Sequence, residues 1–435
     1  MDAGGAAGMA VADTGATGVG DGSGAWLAAA GPAARAATRV LARSGVDQRD
    51  AALRAAAAAL REKAAAVLEA NALDLAASTA RAAFRDRLTL NEARLESMAG
   101  GLEQIAALPD PLNRELAAWT RPNGLRLRRV STPVGVIGMI YESRPNVGAD
   151  AAGLCLKSGN AVLLRGGSDS LHSARAIHAA MREGLRAAGL PEAAVQMAPD
   201  ADRVHVAAML AANGTVDLII PRGGRSLVER VQREARVPVL AHAEGLCHTF
   251  VHRAANPEMA RRIVCNAKMR RVGICGSTET LLVDAPVAAT LLPSIVADLR
   301  ALGCDFRADE RARAILPELP AATAADFDTE WLDAVLSVAV VDGTEAALAH
   351  IARHGSAHTD CIVTEDADAA ATFMGGLDSA VVMWNASTQF CDGGEFGFGA
   401  EIGISTGRMH ARGPVGLEQL CCFRYEVRGD GQVRL

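Results

Sequence analysis

The chain has 435 residues, 50% hydrophobic and 22% charged, which describes a globular protein with room for two or three domains. A formal net charge of −6 and only 3% aromatic residues offer neither a basic field for phosphate backbones nor stacking platforms for bases, which argues against nucleic acid as a partner. No apolar run reaches membrane-spanning length, and nine cysteines without a C-x-x-C pair point to free thiols in a reducing cytoplasm rather than to a disulfide framework.

Residues 1–24 are rich in glycine and alanine, lack a basic start and an apolar targeting core, and read as a flexible tail. The glycines from Gly18 to Gly24 follow no strand and do not match G-x-G-x-x-G. From Arg49 to about Ala77 alanine dominates, with Arg54, Arg61, Glu62 and Lys63 between apolar positions, and the pattern predicts helical scaffold. Pro122-Asn123-Gly124 signals a turn, after which Leu125–Val130 alternates apolar and basic residues. That alternation predicts a half-exposed strand, either a solvated edge or an edge that pairs with another subunit.

Val134–Ile140 is a short run rich in β-branched residues, followed by polar Tyr141–Asn146 and a helical pattern over Val147–Lys157. A strand over Ala161–Leu164, a helix from about Ser170 to Ala188 and a strand over Val216–Ile220 continue the order. Such alternation predicts an α/β fold with parallel strands, crossover helices and ligands at the carboxyl ends of the strands.

Three of those ends carry informative residues. Arg165-Gly166-Gly167 puts a cation where a dinucleotide site often has a carboxylate, which favours the 2′-phosphate of NADP over a bare ribose. Arg222-Gly223-Gly224-Arg225 precedes Ser226–Glu229, a pattern that fits a capping box, and glycines ahead of a helix can accept a phosphate. Asn146 is either a helix cap or an amide donor to a developing oxyanion. Further along, Cys275 lies in Val272-Gly273-Ile274-Cys275-Gly276-Ser277, where small neighbours let a substrate reach the sulfur and Arg270 and Arg271 can favour its thiolate. The competing reading is a small buried hydrophobe beside solvated arginines.

Taken in order, Asn146, Arg165, Gly223-Gly224, Glu244-Gly245 and Cys275 resemble the aldehyde dehydrogenase superfamily. Within it, Tyr141–Val147, Leu163–Gly167, Ile220–Gly224, Gly245–His248, Cys265–Lys268, Asn385–Thr388, Phe398–Thr406 and His410–Glu418 resemble the gamma-glutamyl phosphate reductase family, also called glutamate-5-semialdehyde dehydrogenases. The resemblance covers nearly everything after the tail. It departs near the nucleophile, where Met269, Val272 and Gly276 stand in place of the family's usual threonine, proline and asparagine.

The resemblance implies an aldehyde dehydrogenase-like α/β protein: a Rossmann-like NADP-binding domain over 25–116 and 131–245, a catalytic domain over 246–395, and strands over 117–130 and 412–430 that join subunits. It implies reduction of L-glutamyl 5-phosphate by NADPH to L-glutamate 5-semialdehyde and phosphate, the second step of proline biosynthesis from glutamate, in a homo-oligomer with glutamate 5-kinase as a possible partner and no metal. Cys275 would be the nucleophile and Asn146 an oxyanion donor; Arg165, Gly166, Gly167, Gly223 and Gly224 would hold the cofactor, and Arg144, Arg222, Arg408 and Arg412 the substrate's anionic groups. Glu244 is left without a catalytic role, because a water-activating base would waste the thioester. Two alternatives stay open: a zinc hydrolase built on His242, Glu244, Cys247 and His248, and a scaffold without activity.

Overall fold

The computed structural model describes residues 23–78, 82–142, 144–242 and 244–434. Most of the tail expected over 1–24 lies outside the described residues, and a helix, Ser23–Leu41, begins within its last two. The alanine-rich stretch forms two helices, Val46–Glu62 and Ala64–Ala77, that part at Lys63 (φ −97°, ψ 15°). Side-chain contacts account for the break. Lys63 pairs with Glu183, and beyond it Asp74 accepts from the backbone N–H groups of His172 and Ser173, capping helix Leu171–Ala187 from far away in sequence. Asn71 bonds to Leu88, Leu90 and Ser173, so buried polar partners set the second helix on its own axis. Alanine serves close approach: a Cβ on Gly184 of helix Leu171–Ala187 would lie 2.5 Å from the Ala52 carbonyl oxygen. Small side chains on both helices let the backbones meet and leave no gap.

The first sheet is four-stranded and parallel, in the order Val195–Met197, Ala161–Arg165, Val136–Tyr141, Leu218–Arg222. Val136–Tyr141 and Ala161–Arg165 are buried along their whole length because helices cover both faces. Ile137, Met139 and Tyr141 pack with Val46–Glu62, Glu92–Ala107, Val147–Lys157 and Leu171–Ala187, whereas Val136 and Ile140 face Ser23–Leu41 and Arg203–Leu210. Each such aliphatic side chain contributes about 1.5–3 kcal/mol through burial. Lys157, fully buried, is neutralised by Asp50 at 2.5 Å and bonded to the Ala106 carbonyl.

The second sheet is six-stranded and parallel, in the order Val381–Trp384, Thr359–Val363, Cys247–Val251, Thr278–Asp284, Val335–Val341, Asp305–Ala308. Helices Pro257–Met269, Ala285–Ala301 and Glu310–Ile315 cover one face; Gly343–His354 and Ala367–Gly376 cover the other. Lys268 and Glu279 form a buried ion pair of 2.6 Å beneath the first group.

The basic strand, Arg126–Pro133, is central rather than an edge. It pairs antiparallel with Glu115–Thr120 on one side and Cys421–Arg428 on the other. Two of its cations find partners within that sheet: Arg128 bonds Glu426 at 2.8 Å and Arg129 stacks its guanidinium 5.0 Å from the Phe423 ring centroid. The preceding turn forms as expected, with Gly124 at φ 85° and Arg121 N–H donating to Leu125. Asn160 ties the last strand to the first sheet, accepting from Gly135 N–H and donating to the Leu420 carbonyl. Among the described residues, no helix is long and apolar enough to cross a membrane.

Candidate active site

Tyr141, Arg165 and Arg222 end three strands of the first sheet, so the loops that follow lie along its carboxyl edge. Cys275, Gly245 and His358 instead precede strands Thr278–Asp284, Cys247–Val251 and Thr359–Val363, along the amino edge of the second sheet. The candidate site lies where these two edges meet.

Cys275 sits in a turn that follows helix Pro257–Met269. Its backbone is clamped. Cys247 Sγ donates to the Cys275 carbonyl at 3.1 Å, and Gly245 packs so tightly that a Cβ there would lie 2.0 Å from the same oxygen. Gln389 bonds the Ala267 and Arg271 carbonyls, joining the helix end to the turn. Cys247 is thus a packing and positioning thiol, held far from ionisation by burial.

Burial pushes the Cys275 thiol up to about 11, and Arg222 is the leading charge that draws it back down, while Glu401 and Glu330 add to the rise. Arg222, rather than Arg270 or Arg271, supplies the nearby cation. Arg270 leans on Gln389, and Arg271 acts on Arg144. Arg144 is itself lowered to about 10, first by burial and then by Arg222, Arg87 and Arg271. Among the described residues none of these four guanidinium groups forms an ion pair with a carboxylate, so together they favour an anion. Arg87, on helix Ala82–Leu88, was not legible as a site residue; it reaches the Gly273 segment from the N-terminal helices.

Asn146 occupies the N-cap position of helix Val147–Lys157 in αR geometry, without a capping hydrogen bond; its Nδ2 donates to Asp150 at 2.9 Å. Asp150 is pushed up to about 6 by burial, with Asn146 and Arg222 pulling it back. Arg222 also lowers the Glu401 carboxyl, which burial lifts to about 7, and lies across Gly403. Asp150, Cys275 and Glu401 therefore surround one guanidinium.

Arg165 points its Nη2 at the Ala201 carbonyl, and its buried Nε has no partner among the described residues. Gly166 packs against the Tyr141 ring. The capping box expected at Ser226 does not form: Gly224 is the N-cap of helix Arg225–Glu234, and Glu229 pairs with Arg225 at 2.7 Å. The pull of a full guanidinium outweighs a second backbone contact for that carboxylate. Gly224 N–H donates instead to Glu142 at 3.4 Å, and Glu142 also acts on Arg165. Glu142 thereby links the loops after three strands, a role that its place in a recognisable string did not reveal.

Arg408 and Arg412 are gathered elsewhere, on Asp378, and are not among the leading charges on Cys275 or Arg144. Glu244 is engaged by Arg225 at 2.8 Å. The zinc-hydrolase grouping does not converge: His248 is held by Asp360, Glu244 by Arg225, and Cys247 by the Cys275 carbonyl. A different set does, since ligand atoms of His242, His358 and Cys275 lie within 4.8 Å of one another.

Comparison with known proteins establishes the family. A model of the aldehyde dehydrogenase family matches residues 14–313. The gamma-glutamyl phosphate reductase of Gluconobacter oxydans is 71% identical over 92% of this chain and 94% of its own length, and that of Acidiphilium cryptum is 68% identical over 92% and 96%. The crystal structure of gamma-glutamyl phosphate reductase from Thermotoga maritima superposes with a TM-score of 0.92 at 41% identity, covering 94% of this chain and 100% of that one. An acetylating aldehyde dehydrogenase from Geobacillus thermoglucosidasius, at 18% identity and a TM-score of 0.68, shares the fold. With two sheets meeting edge to edge around a clamped thiol, and relatives of this closeness over almost its whole length, the chain belongs to the gamma-glutamyl phosphate reductases of the aldehyde dehydrogenase family.

Proposed function

We propose that the chain reduces L-glutamyl 5-phosphate with NADPH to L-glutamate 5-semialdehyde and phosphate, the second step of proline biosynthesis from glutamate, through a thioester on Cys275. The observation that carries this reading is the clamped thiol beside guanidinium groups that have no carboxylate partner. A substrate with a phosphate at one end and a carboxylate at the other answers that charge. The names of close relatives point the same way.

Arg222 favours the thiolate and, with Arg144, holds the phosphate. Cys275 Sγ forms a bond to the acyl carbon, the carbon–oxygen bond to phosphate breaks, and the thiol proton departs with the phosphate. NADPH, when bound, supplies the hydride that reduces the thioester carbon. The resulting hemithioacetal oxyanion collapses by breaking its carbon–sulfur bond, releasing the aldehyde and the Cys275 thiolate, which takes a proton from solvent to restore the thiol. At both stages the carbonyl oxygen carries negative charge. Cys275 N–H and the Asn146 amide hydrogen not taken by Asp150 donate to it, one such donor contributing about 3 kcal/mol. Glu244, tied to Arg225, is not left free to activate water against the thioester.

The residues fit the cofactor. Arg165 keeps a buried Nε without a partner among the described residues at a strand end, and of the glycines at the neighbouring strand ends Gly223 and Gly224 are exposed, whereas Gly166 and Gly167 are buried, Gly166 against Tyr141. Residues 25–116 and 131–245 form the cofactor domain and 246–395 the catalytic domain of this proposal. The small sheet, with Trp119, Phe423, Tyr425 and Val427 exposed, is the surface through which copies join, and Arg408 and Arg412 then belong to the substrate's amino-acid end or to that surface. The protein works in the cytoplasm, alongside the kinase that supplies its unstable substrate.

The test runs the reaction backwards. Glutamate semialdehyde should reduce NADP only when phosphate is present, and Cys275→Ser should abolish this while NADP still binds. Turnover by the serine variant, or oxidation indifferent to phosphate, would reject the reading.

A further inference from the structure

We propose that His242, His358 and Cys275 form a binding site for one zinc ion, and that its occupation switches the enzyme off by taking the thiol out of reaction. The three side chains come from three separate segments: the stretch between helix Arg225–Glu234 and strand Cys247–Val251, the residue before strand Thr359–Val363, and the nucleophile turn. One ligand atom from each lies within 4.8 Å of the others. In tetrahedral zinc coordination, bonds of about 2.0–2.3 Å put ligand atoms roughly 3.3–3.8 Å apart. Closing the remaining distance, roughly 1 Å or a little more, takes small rotations of the two partly exposed side chains, His242 and Cys275.

The nitrogens are arranged for this. His242 Nδ1–H donates to the Ile404 carbonyl at 2.7 Å, which fixes the tautomer and leaves Nε2 with its lone pair. His358 Nδ1 bonds the Thr359 hydroxyl at 2.9 Å, and its Nε2 is the free nitrogen. That Nε2 is fully buried and without a hydrogen-bond partner among the described residues, a costly state that a metal would relieve. Burial lowers His242 to about 4 and His358 to about 3, so both rings are neutral and able to ligate at physiological pH. The two rings stand 5.1 Å apart at 71°, edge to face.

Two nitrogens and one sulfur suit zinc, and three protein ligands leave a fourth position for water. Arg222 opposes a dication here, while Glu401 and Glu330 offset it. On binding, Cys275 loses its proton to solvent and forms a sulfur–zinc bond; nothing is oxidised or reduced. This set differs from the zinc-hydrolase grouping considered from sequence, which used Glu244, Cys247 and His248. Metal binding stands on geometry alone, whereas inhibition rests on the proposed nucleophile.

Cobalt(II) is the probe for the site. Full-length protein freed of metal by chelator should take up one equivalent of Co2+ with a thiolate-to-cobalt charge-transfer band, displaced by Zn2+. Cys275→Ser should abolish the band, and His242→Gln and His358→Gln should weaken Zn2+ binding at least about 100-fold, the upper end of what losing even an outer-shell partner costs. Should the buried His358 variant not fold, His242→Gln carries the test, because His242 sits on a loop. Zn2+ should stop wild-type turnover, reversibly by chelator, and spare His242→Gln at the same concentration. No charge-transfer band, or one undiminished in His242→Gln, would overturn the site. A band that behaves as expected while zinc leaves turnover untouched would overturn the inhibition, and with it the nucleophile role of Cys275.

Discussion

Gly245→Ala would test how closely the thiol's position controls the chemistry. The new Cβ would stand 2.0 Å from the Cys275 carbonyl oxygen, 2.7 Å from the carbonyl carbon and 2.8 Å from Cα. Non-bonded carbon and oxygen tolerate no less than about 3 Å, so the nucleophile turn or the Gly245 loop must retreat by about 1 Å. All three atoms are backbone, and no flexible side chain is available to absorb the shift. A displacement of that size at a reacting atom costs about 100-fold in turnover, or about 2.7 kcal/mol, and overpacking adds a stability loss of about 1–3 kcal/mol. Phosphate-dependent oxidation of glutamate semialdehyde gives kcat, and urea unfolding gives stability. Gly100→Ala is the control: a Cβ there meets nothing within 4 Å inside helix Glu92–Ala107, so it should add roughly 0.5–1 kcal/mol and leave turnover alone. A Gly245→Ala protein that turns over within about twofold of wild type at unchanged stability would refute the positional reasoning.

In ligand-free protein, alkylation of Cys275 by iodoacetamide, followed by peptide mass spectrometry, should still be rising near pH 10, because burial holds the thiol near 11. Removing a cation raises a thiol further, so Arg222→Gln should slow that alkylation about tenfold near pH 8, and an unchanged profile would show that Arg222 does not support the thiolate. Lys268→Met strands the buried Glu279 carboxylate and should cost about 3–5 kcal/mol in urea unfolding, with Glu279→Leu in the same chain recovering most of it; equal losses in both proteins would mean that the pair is not the cause. Arg165→Glu should weaken NADP binding far more than NAD binding in equilibrium titrations, and a parallel loss of both would remove the 2′-phosphate contact.

Three of the four strands from Val136 to Ile220 were readable because each is a short aliphatic run bounded by polar or glycine-rich loops, whereas Val195–Met197, three residues with Gln196 at its centre, carries no such run. Helix Val147–Lys157 falls where its pattern put it. The break at Lys63 was invisible, since alanine propagates helix equally on both sides and the deciding contacts, Glu183 and Ser173, lie about 100 residues away. The central place of Arg126–Pro133 was hidden for a similar reason: its second neighbour comes from the far end of the chain. In the site, residues carried by distinctive strings were legible as candidates, but their electrical roles were not. Arg270 and Arg271 are near Cys275 in sequence, yet Arg222 leads among the charges that favour its thiolate, because a strand of the other sheet delivers it there. Arg87 and His358 sit in ordinary local contexts, and only tertiary contact gives them meaning.

One stretch of chain serves two distant places. Gly403 lies against Arg222, the next carbonyl orients His242, and the same segment pairs with Val415 before running on to Cys421–Arg428 in the small sheet. Asn160 pins that run at Leu420, so the outermost strand hangs from an anchored cord whose other end is the floor beneath the sulfur. The chain that closes the small sheet and the chain that orients His242 are therefore one continuous run, fixed by backbone hydrogen bonds at Gly403 and Val415 and by Asn160 at Leu420.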